Sequence, residues 1–210
     1  MYVRVAAFSW SIVKWTFIAL GVALAVNALT YLNFDADYKF LRLKREAIAT
    51  GWYLPFYYSH VLISAFILVA GFFQVSKLSQ RFLKLHRFFG YVYVMGILFL
   101  AAPGGFVMSL FIGRGPWVLA SFITQGILWF VCTAIAFSKI RHGDIESHRE
   151  WMWRSFAITV AAITLRLYIL FLNGSADLSQ QAGYATLAWL SWVPNLIVAE
   201  VVIVRGRRVK

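Results

Sequence analysis

Six apolar stretches, each about as long as a lipid bilayer is thick, decide what this chain can fold into. They cover residues 15–32, 54–75, 88–112, 117–137, 151–172 and 182–204, and an α-helix of about 20 apolar residues crosses the hydrocarbon layer. Of the 210 residues, 61% are hydrophobic; soluble domains rarely exceed about half, so a water-soluble core does not account for them. Lipid offers no hydrogen bonds to an open backbone, so each stretch is expected to be helical. The expected fold is all-α: a polytopic membrane helix bundle of about six transmembrane helices, forming one domain over residues 1–210. The connecting segments stay below about 25 residues, too short for a soluble domain of about 50 or more. "GVALAVNA" in the first stretch has the small residues of a peptidase site, but the stretch is long for a signal peptide and reads as an uncleaved helix.

The net charge of +12 follows the same plan. Thirteen Lys or Arg lie at Arg4, Lys14, the Lys77–Arg87 and Lys139–Arg149 loops and the Arg205–Lys210 tail, against five in the remaining loops. Basic residues mark the cytoplasmic side, so both termini are expected there. This distribution excludes nucleic acid as the partner and makes the lipid bilayer the first one. Four of the five opposing charges, Lys39, Arg42, Lys44 and Arg45, fall in "YKFLRLKREAIATGWY", which reads as an amphipathic helix on the membrane surface. Cys132 is the only cysteine, which excludes an internal disulfide and a thiolate metal site. There is no GxGxxG, Walker, HExxH or GxSxG pattern.

Function then rests on polar groups inside the apolar stretches, where each costs several kcal/mol unless it finds a partner or water. In "ESHREWMWRSFAITVAAITLRLY", His148 and Arg166 are 18 residues, or about five turns, apart and share a helix face. Ser155 and Thr159 fall within about 20° of that line. At a rise of 1.5 Å per residue, Arg166, His60, Gln125 and Asn27 come to similar depth on the external side, an outer polar cluster. His86, Arg87, His148, Arg149 and Arg154 gather at the cytoplasmic side with Gln74 and Glu200, an inner cluster in which Arg154 or Arg205 should pair with Glu200.

Several of these residues also have plainer roles. Ser155 and Thr159 can bond their own helix carbonyls. Arg87 and Arg149 suit lipid headgroups, His142 suits solvent, and most of the nine tryptophans suit the interfaces.

The stretches "YYSHVLISAFILVAGFFQ", "LKLHRFFGYVYV", "IRHGDIESHREWMWRSFAITVAAITLRL" and "WVPNLIVAE" resemble the bacterial membrane family called domain of unknown function 2306. The likeness covers about residues 53–200, and its specific elements are His-Arg-x-x-Gly and His-x-x-Trp-Met-x-Arg-Ser. It implies a compact helical bundle, with His60, Gln74, His86, Arg87, Gly90, His148, Trp151, Met152, Arg154, Arg166, Asn195 and Glu200 matching the family pattern. It implies a multi-pass protein of the bacterial cytoplasmic (inner) membrane, and no reaction.

Four functions fit these residues. The first is a b-type haem electron carrier, with His86 and His148 as iron ligands, Arg87 or Arg154 at the propionates, Gly90 leaving room for the ring, and a quinone or protein redox partner. The second is a membrane-embedded binding or enzymatic site for an anionic lipid or isoprenoid-like molecule, with the basic inner cluster taking the acidic group. The third is a scaffold subunit of a membrane complex. The fourth is a transporter along the His148–Arg166 stripe, although no match between halves of the chain supports a repeat.

Overall fold

A computed structural model describes residues 2–172 and 181–208, with side chains from residue 14 onward except 77, 80 and 181. Among the described residues there is no strand, and six helices are long and apolar enough to cross a membrane. They cover Lys14–Asn33, Tyr53–Gln74, Leu83–Leu110, Pro116–Arg141, Ile145–Leu172 and Ala182–Arg208, here the first to sixth spans. An even number returns the chain to the side it started from. We call the end that carries both termini proximal and the opposite end distal. Many large apolar side chains on the outer faces, among them Phe66, Phe99, Ile127, Leu170 and Ile197, are exposed in the isolated chain; these are the surfaces that meet lipid.

Two spans begin five or six residues before their apolar stretches do. The third starts at Leu83 rather than 88. The fifth starts at Ile145 rather than 151, because Asp144 caps it by accepting from the Ser147 N–H at 3.0 Å. Hydrogen bonds from Ser147 hold the Asp144 carboxyl below its ordinary value, as a charged cap requires. Three spans are interrupted. The third passes through one π-turn, Ile97–Ala101, closed by the Ala102 N–H on the Ile97 carbonyl, with Pro103 following. The fifth turns at Val160. The sixth breaks at Ser191–Trp192, just before Pro194, whose missing N–H and ring cannot continue the preceding helix.

The mid-bundle core explains Ser155 and Thr159. The Tyr93 hydroxyl lies 3.0 Å from Ser155 Oγ and 2.7 Å from Thr159 Oγ1. Thr133 Oγ1 lies 2.7 Å from Ser155 Oγ, and Trp129 Nε1 donates to Thr159 Oγ1 at 3.0 Å. Thr159 does bond its own helix, on the Ser155 carbonyl, but the pair chiefly ties the fifth span to the third and fourth. Trp129 and Trp192 are likewise not interface anchors: both are buried, and the Trp192 N–H donates to Ser121 Oγ. A polar stripe facing lipid would have no such partners.

Two ion pairs join the fifth and sixth spans near the proximal end. Arg154 holds Glu200 through two hydrogen bonds, at 2.5 and 2.9 Å, as expected from the depth of that carboxylate. Arg207 holds Glu150 in the same way. Glu150 lies beyond the apolar stretch, so Glu200 is not the only acidic residue inside a span.

Charge gives the expected orientation. Among the described residues twelve Lys or Arg lie at the proximal end, a bias that predicts a cytoplasmic proximal end. A reporter active only outside the cell, fused at residue 210, is therefore expected to be silent. A strong signal would reverse the orientation.

Candidate functional site

A cavity of about 400 Å³ opens inside the distal half of the bundle, and it collects the outer cluster. His60, Arg166, Gln125 and Asn27 all line it. The second span supplies one wall through Tyr53, Tyr57, His60, Ser64 and Leu68. Their spacing of three or four residues keeps them on one helix face. Ala101, Ala102 and Gly105 of the third span, Trp129 of the fourth, and Ile158, Thr159 and Leu165 of the fifth complete the walls. Trp129 and Thr159 join this floor to the Tyr93 network below it.

His60 is positioned by glycine. A Cβ at Gly104 would stand 2.6 Å from the Phe56 carbonyl oxygen, and one at Gly105 would stand 2.8 Å from His60 Nδ1. Only glycine lets the third span approach this closely. His60 Nδ1 lies 2.6 Å from the Ala101 carbonyl, the last residue of the π-turn. A carbonyl only accepts, so Nδ1 carries the proton and Nε2 of the neutral ring is an acceptor.

Arg166 donates one hydrogen bond to the Ala162 carbonyl of its own helix, at 2.8 Å. It lines the cavity, with Tyr184, Tyr31 and Tyr57 near enough to feel its charge. Among the described residues no carboxylate pairs with it, and no acidic residue lines the cavity. Tyr53 Oη, Ser64 Oγ and Gln125 Oε1 are buried polar atoms without a hydrogen-bond partner, all three from cavity-lining residues. Buried polar atoms in native proteins are rarely left in this state, and Arg166 lines the same cavity. The chemistry offered is that of an anion-binding vessel with apolar walls.

The segment between the first two spans closes the distal end. It forms a 3₁₀ turn, Lys39–Lys44, and a short helix, Arg45–Ala49. Its apolar side is buried in the bundle, where Leu41 and Ala47 pack with Tyr31, Tyr53 and Tyr57. Lys39 Nζ donates to Asn27 Oδ1 at 2.9 Å. Lys44 Nζ donates to the carbonyls of Phe111 and Ile112 at 2.5 and 3.2 Å, and Lys44 and Phe40 line the cavity. Burial, and then the Arg114 charge, pull the Lys44 ammonium below its ordinary value.

The proximal cluster is arranged differently. His86 Nδ1 lies 3.0 Å from Ser79 Oγ, which itself donates to the Gln74 carbonyl, so Nδ1 is the donor. His148 Nδ1 lies 2.8 Å from the Ala136 carbonyl. The two rings are close enough for their charges to interact, and each presents Nε2 as its free acceptor, as ligating histidines do. The rest of the haem constellation gains no support. Gln74 occupies the space beside Gly90, where a Cβ would meet its Nε2 at 3.6 Å, and donates to the His86 carbonyl at 2.6 Å. Arg154 is held by Glu200 and stacks on Trp151 at 4.5 Å, so it does not reach for a propionate. Arg87 is exposed, as is His142, whose Nδ1 lies 2.8 Å from the Ser138 carbonyl.

Tyr31, Tyr53, Tyr57, Ser64 and Lys44 are the cavity residues that the polar-depth argument misses. The spacing of Tyr53, Tyr57, His60 and Ser64 on one face was a usable signal. Tyr31, one turn after Asn27 on the first span, shared that signal, whereas Lys44 carries none, because it reaches the cavity only when the segment between the spans folds back.

The family described as predicted membrane protein (DUF2306) matches over residues 57–203, a range that contains His60, Gln125 and Arg166 but not Asn27 or Lys44. No curated protein and no solved structure matches the chain.

Proposed function

The chain belongs to the DUF2306 family of predicted membrane proteins, and on that premise we propose that it binds, inside the bilayer, a small amphipathic molecule bearing an acidic group. The observation that carries the reading is Arg166: a guanidinium on a cavity wall, with no carboxylate partner among the described residues. Charge inside a membrane is costly, and it usually serves a function. Arginine cannot escape the cost by losing its proton, and its fork matches a carboxylate or phosphate. The acidic group therefore belongs at the distal cavity rather than at the proximal basic cluster, where Arg154 is already neutralised by Glu200.

The apolar lower walls, including Ala65, Leu68 and Ile158, suit an acyl or isoprenoid-like tail. At about 400 Å³ the cavity sits near the low end of the roughly 300–1,000 Å³ found for sites that enclose small molecules. The haem reading keeps the two Nε2 acceptors of His86 and His148 in its favour, but it would require Gln74 to leave its place beside Gly90.

The test uses the full chain in zwitterionic lipid nanodiscs and compares a single-chain acid with the alcohol of equal chain length. The acid is expected to bind the wild type at least about tenfold tighter, since a hydrogen bond to a charged group contributes about 1.5–3 kcal/mol. Arg166→Gln is expected to abolish most of that difference while leaving the alcohol unchanged. Equal binding of acid and alcohol by the wild type, or an unaltered preference in Arg166→Gln, would overturn the reading.

A further inference from the structure

The distal cavity offers more than one acidic group of unit charge can use. Arg166 commits a single donor to Ala162, and a guanidinium has five. Lys44 commits two of its three to the Phe111 and Ile112 carbonyls, which leaves one N–H on a residue that lines the same space. Tyr53 Oη and Ser64 Oγ add two hydroxyls without partners. A carboxylate is satisfied by one arginine fork. A phosphoryl group brings three terminal oxygens and up to two charges, which matches two cations lining one cavity.

Shape limits the remainder of the ligand. The cavity follows the second span from Tyr53 to Leu68, about 22 Å at 1.5 Å per residue. That is most of a hydrocarbon layer about 30 Å thick. A volume of about 400 Å³ drawn out over that length is a slender slot. Lys44 and Tyr53 stand at one end, and Ala65, Leu68 and Ile158 line the other. It suits one chain and not two.

We propose that this cavity holds a phosphate monoester on a single hydrocarbon chain, with Arg166 and Lys44 as its two cationic contacts. The proposal rests on the reading of the cavity as an anion site and adds the class of headgroup and the number of chains. Lys44 acts from outside the spans: its segment bonds the carbonyls that end the third span and closes the cavity over the headgroup.

Binding of radiolabelled hexadecyl phosphate to the full chain in zwitterionic nanodiscs tests this, with hexadecanoate, inorganic phosphate and a two-chain phosphatidic acid as competitors. Hexadecyl phosphate is expected to bind about tenfold tighter than hexadecanoate, and the other two to compete poorly at the same concentration. Lys44→Gln should weaken hexadecyl phosphate about fivefold and hexadecanoate less than twofold. Lys44→Arg should retain the preference, and Arg166→Gln should weaken both. If hexadecanoate binds as well as hexadecyl phosphate, or Lys44→Gln weakens both alike, the phosphoryl assignment is wrong while dependence on Arg166 keeps the anion site. Effective competition by inorganic phosphate would make it a site for a free anion, and by phosphatidic acid a two-chain site; either overturns the single-chain assignment. Indifference of every ligand to Arg166→Gln would remove the anion site itself.

Discussion

Replacing Gly104 with leucine is expected to reduce the yield of folded protein extracted from membranes by at least about tenfold. Even alanine would place a Cβ 2.6 Å from the Phe56 carbonyl oxygen and 2.8 Å from Ser59 Oγ. The first of these neighbours is backbone, so relief requires the second and third spans to separate. Overpacking of this kind costs about 1–3 kcal/mol for a few added atoms and more for a full side chain. One or two kcal/mol already shifts the folded fraction by a factor of about 5–30. The loss would also reach the cavity, because the same approach holds His60 on the Ala101 carbonyl. Gly126→Ala is the control: nothing lies within 4 Å of a Cβ there, and removing a helical glycine is worth about 0.5–1 kcal/mol in the stabilising direction. Size-exclusion profiles and thermal midpoints of the two variants decide the matter. A Gly104→Leu protein with wild-type yield and midpoint would show that the two spans are not in tight contact.

The spans were legible because lipid imposes a single demand on every one of them, a run of apolar residues with internal backbone hydrogen bonds. Their starts were less so. Hydropathy marks the hydrocarbon layer, whereas a helix begins where its first N–H groups find an acceptor. Asp144 supplies one seven residues before the apolar stretch beginning at Trp151, which is how Glu150 and its partner Arg207 escaped notice. Depth along each helix was enough to bring Asn27, His60, Gln125 and Arg166 to one level, and all four line one cavity. Depth cannot say whether polar residues at one level face a void or each other. The distal set faces a void, while at the proximal end Gln74 and Glu200 fill the positions beside Gly90 and Arg154. Lys44 depends on a loop that folds back over the bundle, and a loop's path is written in no periodicity.

Breaking the Arg154–Glu200 pair should be costly, and removing both partners should not be. The pair is bidentate and unequally placed: the Arg154 side chain is 17% exposed and the Glu200 side chain 48%. Glu200→Leu strands the better enclosed partner, a guanidinium that cannot become neutral by losing a proton. Arg154→Met strands a half-exposed carboxylate, which can take up a proton or reach headgroup water. Glu200→Leu is therefore expected to be the worse of the two. Removing one member of a buried pair costs about 3–5 kcal/mol. The exposure of Glu200 screens part of that, so about 2–4 kcal/mol is expected for Glu200→Leu and about 1–2 kcal/mol for Arg154→Met. The double variant replaces both charges with apolar groups in a membrane, a change that is often neutral or stabilising, and should recover to within about 1 kcal/mol of the wild type. Thermal unfolding of the four proteins in one detergent closes the cycle, and the expected interaction energy is far from zero. If the double variant is instead as unstable as the sum of the singles, Arg154 and Glu200 hold their helices through other contacts, and the join between the fifth and sixth spans at the proximal end would rest on Arg207–Glu150.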